Sequence, residues 1–142
     1  MVKQISVFIE NKKGRLANLT KELGENNIDL KALSIADTTD FGILRFITND
    51  AEKTIKVITE KGYTAKLTDV IAVQVEDKPG GLAYVLDLLN QQDISIEYLY
   101  SFVRTKGTSA LIIFRVNDSD RAVETLKKNG VKLLTQEEIN AL

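Results

Sequence analysis

Residues 5 to 17, Ile5-Ser-Val-Phe-Ile-Glu10-Asn-Lys-Lys-Gly14-Arg-Leu16-Ala17, return as Ile71-Ala-Val-Gln-Val-Glu76-Asp-Lys-Pro-Gly80-Gly-Leu82-Ala83. With Gly14 set on Gly80 the offset is 66, and residues 5 to 35 then show ten identities in 31 positions, where ordinary composition gives about two. The chain is an internal duplication. Further on the offset is 68: Phe46-Ile-Thr-Asn49-Asp50 matches Phe114-Arg-Val-Asn117-Asp118, and Gly62 matches Gly130. Two residues therefore separate the spacings, and length changes collect in loops. A hairpin turn is expected near Lys106-Gly107 and a tighter one near Thr39-Asp40.

Within the first copy, Ile5, Val7 and Ile9 alternate with Ser6, Phe8 and Glu10, which is the period of a strand with one buried face. Leu16, Leu19 and Leu23 then recur at helical spacing with Lys21, Glu22 and Glu25 opposite, until Asn26-Asn27 ends the helix. Residues 28–36 and 42–48 read as a hairpin, joined by a polar turn at 37–40. Asn49-Asp50 can cap a helix that turns Ile55 and Ile58 inward, and Gly62 stops it before a short strand over 63–67. The second half repeats this order: Ile71, Val73 and Val75; Leu82, Val85, Leu86 and Leu89; 94–103; 111–116; Val123 and Leu126; 131–134. Thr135-Gln-Glu-Glu138 is a capping box, and with Ile139 and Leu142 it predicts a short terminal helix against the second unit.

Strand, helix, strand, strand, helix, strand is satisfied by one antiparallel sheet with both helices on one face. The predicted fold class is α+β: two ferredoxin-like βαββαβ units in tandem, 1–68 and 69–142. The connection Thr68-Asp69 is too short for free movement. In this order the second strand of each unit is a sheet edge that invites pairing. Edges at Ile28-Asp-Leu30 and Ile94-Ser-Ile96 are expected to dock the units side by side into an eight-stranded sheet, with the fourth strand as the other available edge.

Net charge is −1, with both signs scattered, so the basic stripe that a phosphate backbone demands is missing and nucleic acid is not an expected partner. No apolar run approaches the roughly 20 residues that span a bilayer, which points to a soluble, cytoplasmic protein without a membrane partner. The chain has no His and no Cys. That removes thiolate nucleophiles, disulfides, common zinc sites and the usual neutral-pH base, and counts against an enzyme. No cofactor and no metal are expected. Arg104 and Lys106 have no basic neighbours and read as solvated charges.

Each repeat places a Gly at a helix entrance, where the first backbone N–H groups lack partners inside the helix and the dipole favours negative charge. One such Gly is most simply a tight turn; recurrence of the whole turn weighs toward a site for a small carboxylate. Glu76-Asp-Lys-Pro-Gly80-Gly-Leu82-Ala83, with Ile94-Ser-Ile96 twelve residues beyond Leu82, resembles the ACT domain, the small regulatory module of amino-acid metabolism. The first copy keeps the Gly, the Leu and the spacing but carries Lys13 where Pro is usual. The resemblance covers nearly the whole chain as two tandem ACT units.

That resemblance implies regulation, with a free amino acid bound at the seam between the Gly turn of one unit and the second-strand start of its neighbour. Carried over by position, the turn contacts are Asn11, Gly14, Arg15 and Leu16, and in the copy Asp77, Pro79, Gly80, Gly81 and Leu82. The strand contacts are Asp29 and Leu30, and Ser95 and Ile96. A zwitterion needs donors and acceptors together: amides near Gly14 and Gly80, helped by Arg15, are the donors, and Asn11, Asp29 and Asp77 are acceptors. A homodimer or a partner enzyme is the expected protein partner. The alternative from another class is a ligand-free assembly module.

Overall fold

The computed structural model describes residues 1–38, 40–103, 107 and 109–142. Thr39 and Lys106, at the two expected turns, and Arg104 lie outside the described residues. The elements are β1 (Val2–Glu10), α1 (Arg15–Glu25), β2 (Leu30–Asp37), β3 (Phe41–Thr48), α2 (Ala51–Glu60) and β4 (Thr64–Glu76). They continue with α3 (Gly81–Asn90), β5 (Ile96–Ser101), β6 (Ser109–Val116), α4 (Ser119–Lys128), β7 (Leu133–Leu134) and α5 (Gln136–Asn140). Two βαββαβ units are present, with their helices on one face of an antiparallel curled sheet.

Among the described residues the eight strands expected from the sequence are seven, because the last strand of the first unit and the first of the second are one strand. The sheet order is β2-β3-β1-β4-β6-β5, with β7 also paired to β4. Residues Thr64 to Val70 of β4 pair with β1, and Ile71 to Glu76 pair with β6. Thr68 and Asp69 are therefore not a linker; they stand opposite Gln4 and Lys3. Their polarity, which breaks the apolar alternation in sequence, is accommodated by the pairing itself, since Lys3 Nζ lies 2.7 Å from the Asp69 carboxylate.

A strand shared by both units cannot lay their sheets edge to edge as two flat halves. The sheet curls instead, and the helix-free faces of the two units close on each other. The core between them draws Val2, Ala32 and Ile47 from the first unit and Ala72, Tyr100, Leu111 and Ile113 from the second. The second-strand edges do approach, through one bridge, Ala32 to Phe102, and through Val103 N–H to the Lys31 carbonyl at 2.9 Å. Each outer face carries its own core: Leu19, Leu23 and Ile58 over Ile5, Val7 and Phe46, and Val85, Leu89 and Leu126 over Val73 and Phe114. Complete burial of a side chain such as Leu19 or Leu126 contributes about 1.5–3 kcal/mol.

The helix ends repeat as the sequence does. Asp50 and Asp118 cap α2 and α4 by accepting from Lys53 and Arg121 N–H at 3.0 and 3.1 Å. Asn27 and Asp93, at φ 58° and 55°, close α1 and α3 in the left-handed conformation, and the next amides, of Ile28 and Ile94, reach back to Leu23 and Leu89. The capping box of α5 forms as its residues predict. This helix reaches both units: Ile139 is wholly buried in the central core, the Gln136 side chain accepts from Lys3 N–H at 2.8 Å, and the buried Lys31 ammonium donates to the Leu142 carbonyl.

Candidate functional site

The two glycine corners have the same backbone. Gly14 and Gly80 both sit at φ 85° and ψ −8°, a left-handed conformation that costs an L side chain about 1–2 kcal/mol. Lys12 N–H donates to the Glu10 carbonyl at 2.8 Å, and Lys78 N–H to that of Glu76 at 2.9 Å. Arg15 and Gly81 N–H donate to the Lys12 and Lys78 carbonyls at 3.2 and 3.0 Å. No side chain caps α1 or α3. The amides of Leu16 and Ala17, and of Leu82 and Ala83, find no acceptor among the described residues, so each corner presents donors of the kind a carboxylate takes.

A Glu–Lys pair flanks each corner, Glu10 with Lys12 at 3.0 Å and Glu76 with Lys78 at 2.6 Å. The Lys12 hydrogen bond and charge hold the Glu10 carboxyl below its ordinary range, and Glu76 in the same way raises the Lys78 ammonium. Both pairs are exposed and contribute little to stability.

At the second corner the walls enclose a cleft of about 590 Å³. Gly80, Gly81 and Tyr84 from the start of α3 form one side; Gln74 and Glu76 of β4 and Ser109 of β6 form another; Asn129 to Lys132, between α4 and β7, complete it. Gly81 matters here for space: a Cβ on it would collide with the Glu76 carbonyl oxygen. The Gln74 side-chain amide donates to Ser109 Oγ at 3.0 Å, so the floor of the cleft is polar. Sequence reasoning did not single out Gln74, Ser109 or Asn129. The signal was in the repeat, because at the matching offsets the first unit has Phe8 and Phe41 where the second has Gln74 and Ser109.

The remaining candidates fall elsewhere. Asn11 is exposed, with its N–H donating to the Asp40 carbonyl at 3.0 Å. Asp77 and Pro79 are exposed on the second corner, and Leu82 packs against the outer core. Asp29 is held by Asn49, whose side chain accepts from Asp29 N–H at 3.0 Å, and its carboxylate pairs with Lys31 at 2.9 Å. Ser95 is held in the same way by Asn117 at 2.9 Å. Leu30 and Ile96 are packing residues of the outer cores, and Ser95 and Ile96 also line an open groove beside Ala83 and Leu86 of α3. The cleft at Gly80 is lined by second-unit residues, not by Asp29 or Leu30. The corners lie beyond opposite ends of the β1–β4–β6 ladder, near Glu10 and Glu76, whereas Leu30 and Ile96 enter the sheet opposite Thr48 and Val116.

Among the described residues no helix is long and apolar enough to cross a membrane. Two βαββαβ modules fused through β4, each with a left-handed glycine at the entrance of its first helix, make up the fold. Residues 1–142 match the family of ACT domain pairs, and the chain belongs to that family. Protein BT0572 from Bacteroides thetaiotaomicron is 38% identical, with a TM-score of 0.93 over 99% of this chain and 96% of that one. The regulatory subunit of aspartate kinase from Thermus thermophilus, in ligand-free form, shares the fold at 16% identity and a TM-score of 0.65, over 89% of this chain and 90% of that one. The corresponding subunit from Thermus flavus is similar at 16% identity and a TM-score of 0.60, over 88% of each chain. No curated protein matches the chain.

Proposed function

We propose that the chain is a cytoplasmic regulatory protein that binds a free amino acid at its second glycine corner and passes that information to a partner enzyme or a second copy of itself. The observation that carries this reading is the cleft at Gly80, where unpaired amides of the first turn of α3 stand beside a polar wall. A carboxylate suits the amides, and the ammonium of the same molecule has carbonyl and carboxylate oxygen nearby at Glu76. Gln74, Ser109 and Asn129 favour a ligand whose side chain also forms hydrogen bonds. The Thermus neighbours are regulatory subunits by name, and that role is extended here to this chain. Binding rather than catalysis is the reading, because a chain with no His and no Cys lacks the commonest neutral-pH base and nucleophile.

A seam that also uses Asp29 and Leu30, or Ser95 and Ile96, requires a second chain, with its second-strand edge laid against the corner. Leu33 and Ile35, on that edge in the first unit, are 39% and 51% exposed, and the same pair supports the competing reading of a ligand-free assembly module. Thermal shift with single amino acids separates the two. A sensor gains several degrees with one or a few of them, since a ligand that binds only the folded state stabilises it by mass action. An assembly module gains with none, while its melting depends on protein concentration.

A further inference from the structure

The glycine corners are alike in backbone and different in what fills the space beside them. By the repeat, Gly81 corresponds to Arg15 and Val131 to Tyr63. In the second unit Gly81 and Val131 are walls of the cleft. In the first, the Arg15 guanidinium carbon lies 5.2 Å from the centre of the Tyr63 ring, and Arg15 Nε is buried with no hydrogen-bond partner among the described residues. A positive charge in the first turn of a helix is unfavourable for the dipole, so helix electrostatics do not account for this placement. Stacking on the ring does: the guanidinium gains the aromatic face, and the three-carbon stem covers apolar surface. An Nε–H without solvent access cannot donate to an incoming carboxylate unless the side chain first swings away.

We infer that each chain holds one amino-acid cleft, at Gly80, and that Arg15 laid on Tyr63 is the built-in occupant of the equivalent space at Gly14. This rests on the reading that the Gly80 cleft takes a free amino acid. The duplication has thus diverged into a ligand corner and a self-filled corner, and a regulator of this kind responds to ligand with a single-site curve per chain unless chains couple.

Isothermal titration calorimetry of the full chain against each of the twenty amino acids tests it. The expected result is one molecule bound per chain. The double variant Arg15→Gly, Tyr63→Val, which gives the first corner the residues that the second carries at those two places, is expected to bind two. Val131→Tyr, the residue the first unit carries at that place, is expected to reduce affinity at least tenfold. Two molecules bound by the unaltered chain would keep the sensor reading and overturn the assignment of Arg15. A double variant that stays folded by circular dichroism and still binds one also overturns it. Binding of no amino acid at all ends the sensor reading and this inference together. A readout independent of ligand is the Arg15 Nε–H resonance: slow solvent exchange and an upfield ring-current shift are expected, and exchange as fast as in free arginine contradicts the stacked arrangement.

Discussion

The Tyr100 hydroxyl donates to the side-chain carbonyl of Gln4 at 2.7 Å, across 96 residues of sequence. Gln4 returns a bond of 2.8 Å from its amide to Tyr98 Oη, and the Arg45 guanidinium lies 3.9 Å from the centre of the Tyr98 ring. Gln4 and Arg45 belong to the first unit and the two tyrosines to the second, so a polar cluster ties the facing halves beside the central apolar core. Gln4 is wholly buried. Loss of either partner therefore leaves a buried polar atom without a bond. Gln4→Leu and Tyr100→Phe are each expected to cost about 1–3 kcal/mol, and the double variant less than their sum. Urea denaturation of the four proteins measures this; simple additivity would contradict a direct bond.

The same tyrosine gives the fold an alkaline limit. Burial, with Tyr98 nearby, raises the Tyr100 phenol well above its ordinary 10.0, against a smaller opposing effect of Arg45. A raised value in the folded state means stability is full below the unfolded value and is lost as pH rises past it, because the unfolded chain ionises first. Unfolding free energy is expected to fall as pH climbs beyond about 10, and Tyr100→Phe to flatten that slope. An unchanged slope in the variant contradicts the assignment.

At the second corner the two adjacent glycines are there for different reasons. Gly80 needs its left-handed backbone and has open space where a Cβ would stand, whereas Gly81 faces the Glu76 carbonyl. Gly80→Ala is expected to cost about 1–2 kcal/mol. Gly81→Ala is expected to cost more, since its clash with the Glu76 main chain must be relieved by moving the turn. Thermal melts of the two variants decide the order.

Acid is expected to weaken the capping box of α5. The Lys132 hydrogen bond, then the Thr135 N–H, lower the Glu138 carboxyl below its ordinary 4.5. A lowered folded value places this contribution above the unfolded range, to be lost as pH falls through the folded value. The Thr135 and Glu138 amide resonances are expected to move together below pH 4.5, and not at all in Glu138→Gln, which cannot titrate.

Much of this arrangement is written in the chain. Helical spacing at Leu16, Leu19 and Leu23, the Asp50 and Asp118 caps, and the box from Thr135 to Glu138 each follow from local chemistry, and duplication puts both corners on view. What was not legible is long-range. Thr68-Asp69 reads as a polar break because only the paired strand, with Lys3 opposite Asp69, shows that it continues β4. Burial of Gln4 and Ser6 on the supposed outer face follows from curling of the sheet, which no period-two pattern encodes. Asn49 and Asn117 look like capping residues by sequence; their clamps on Asp29 and Ser95 appear only when the strand starts are brought beside them.

In the proposed sensor the amides opening α3 hold a ligand that those opening α1 do not. Titration of isotopically labelled protein with the amino acid that raises its melting temperature, followed by amide correlation spectra, tests this most directly. The Gly80, Gly81, Leu82 and Ala83 amides are expected to shift and saturate, with Gly14, Leu16 and Ala17 moving little. Saturating shifts that leave the Gly80 corner untouched would contradict it.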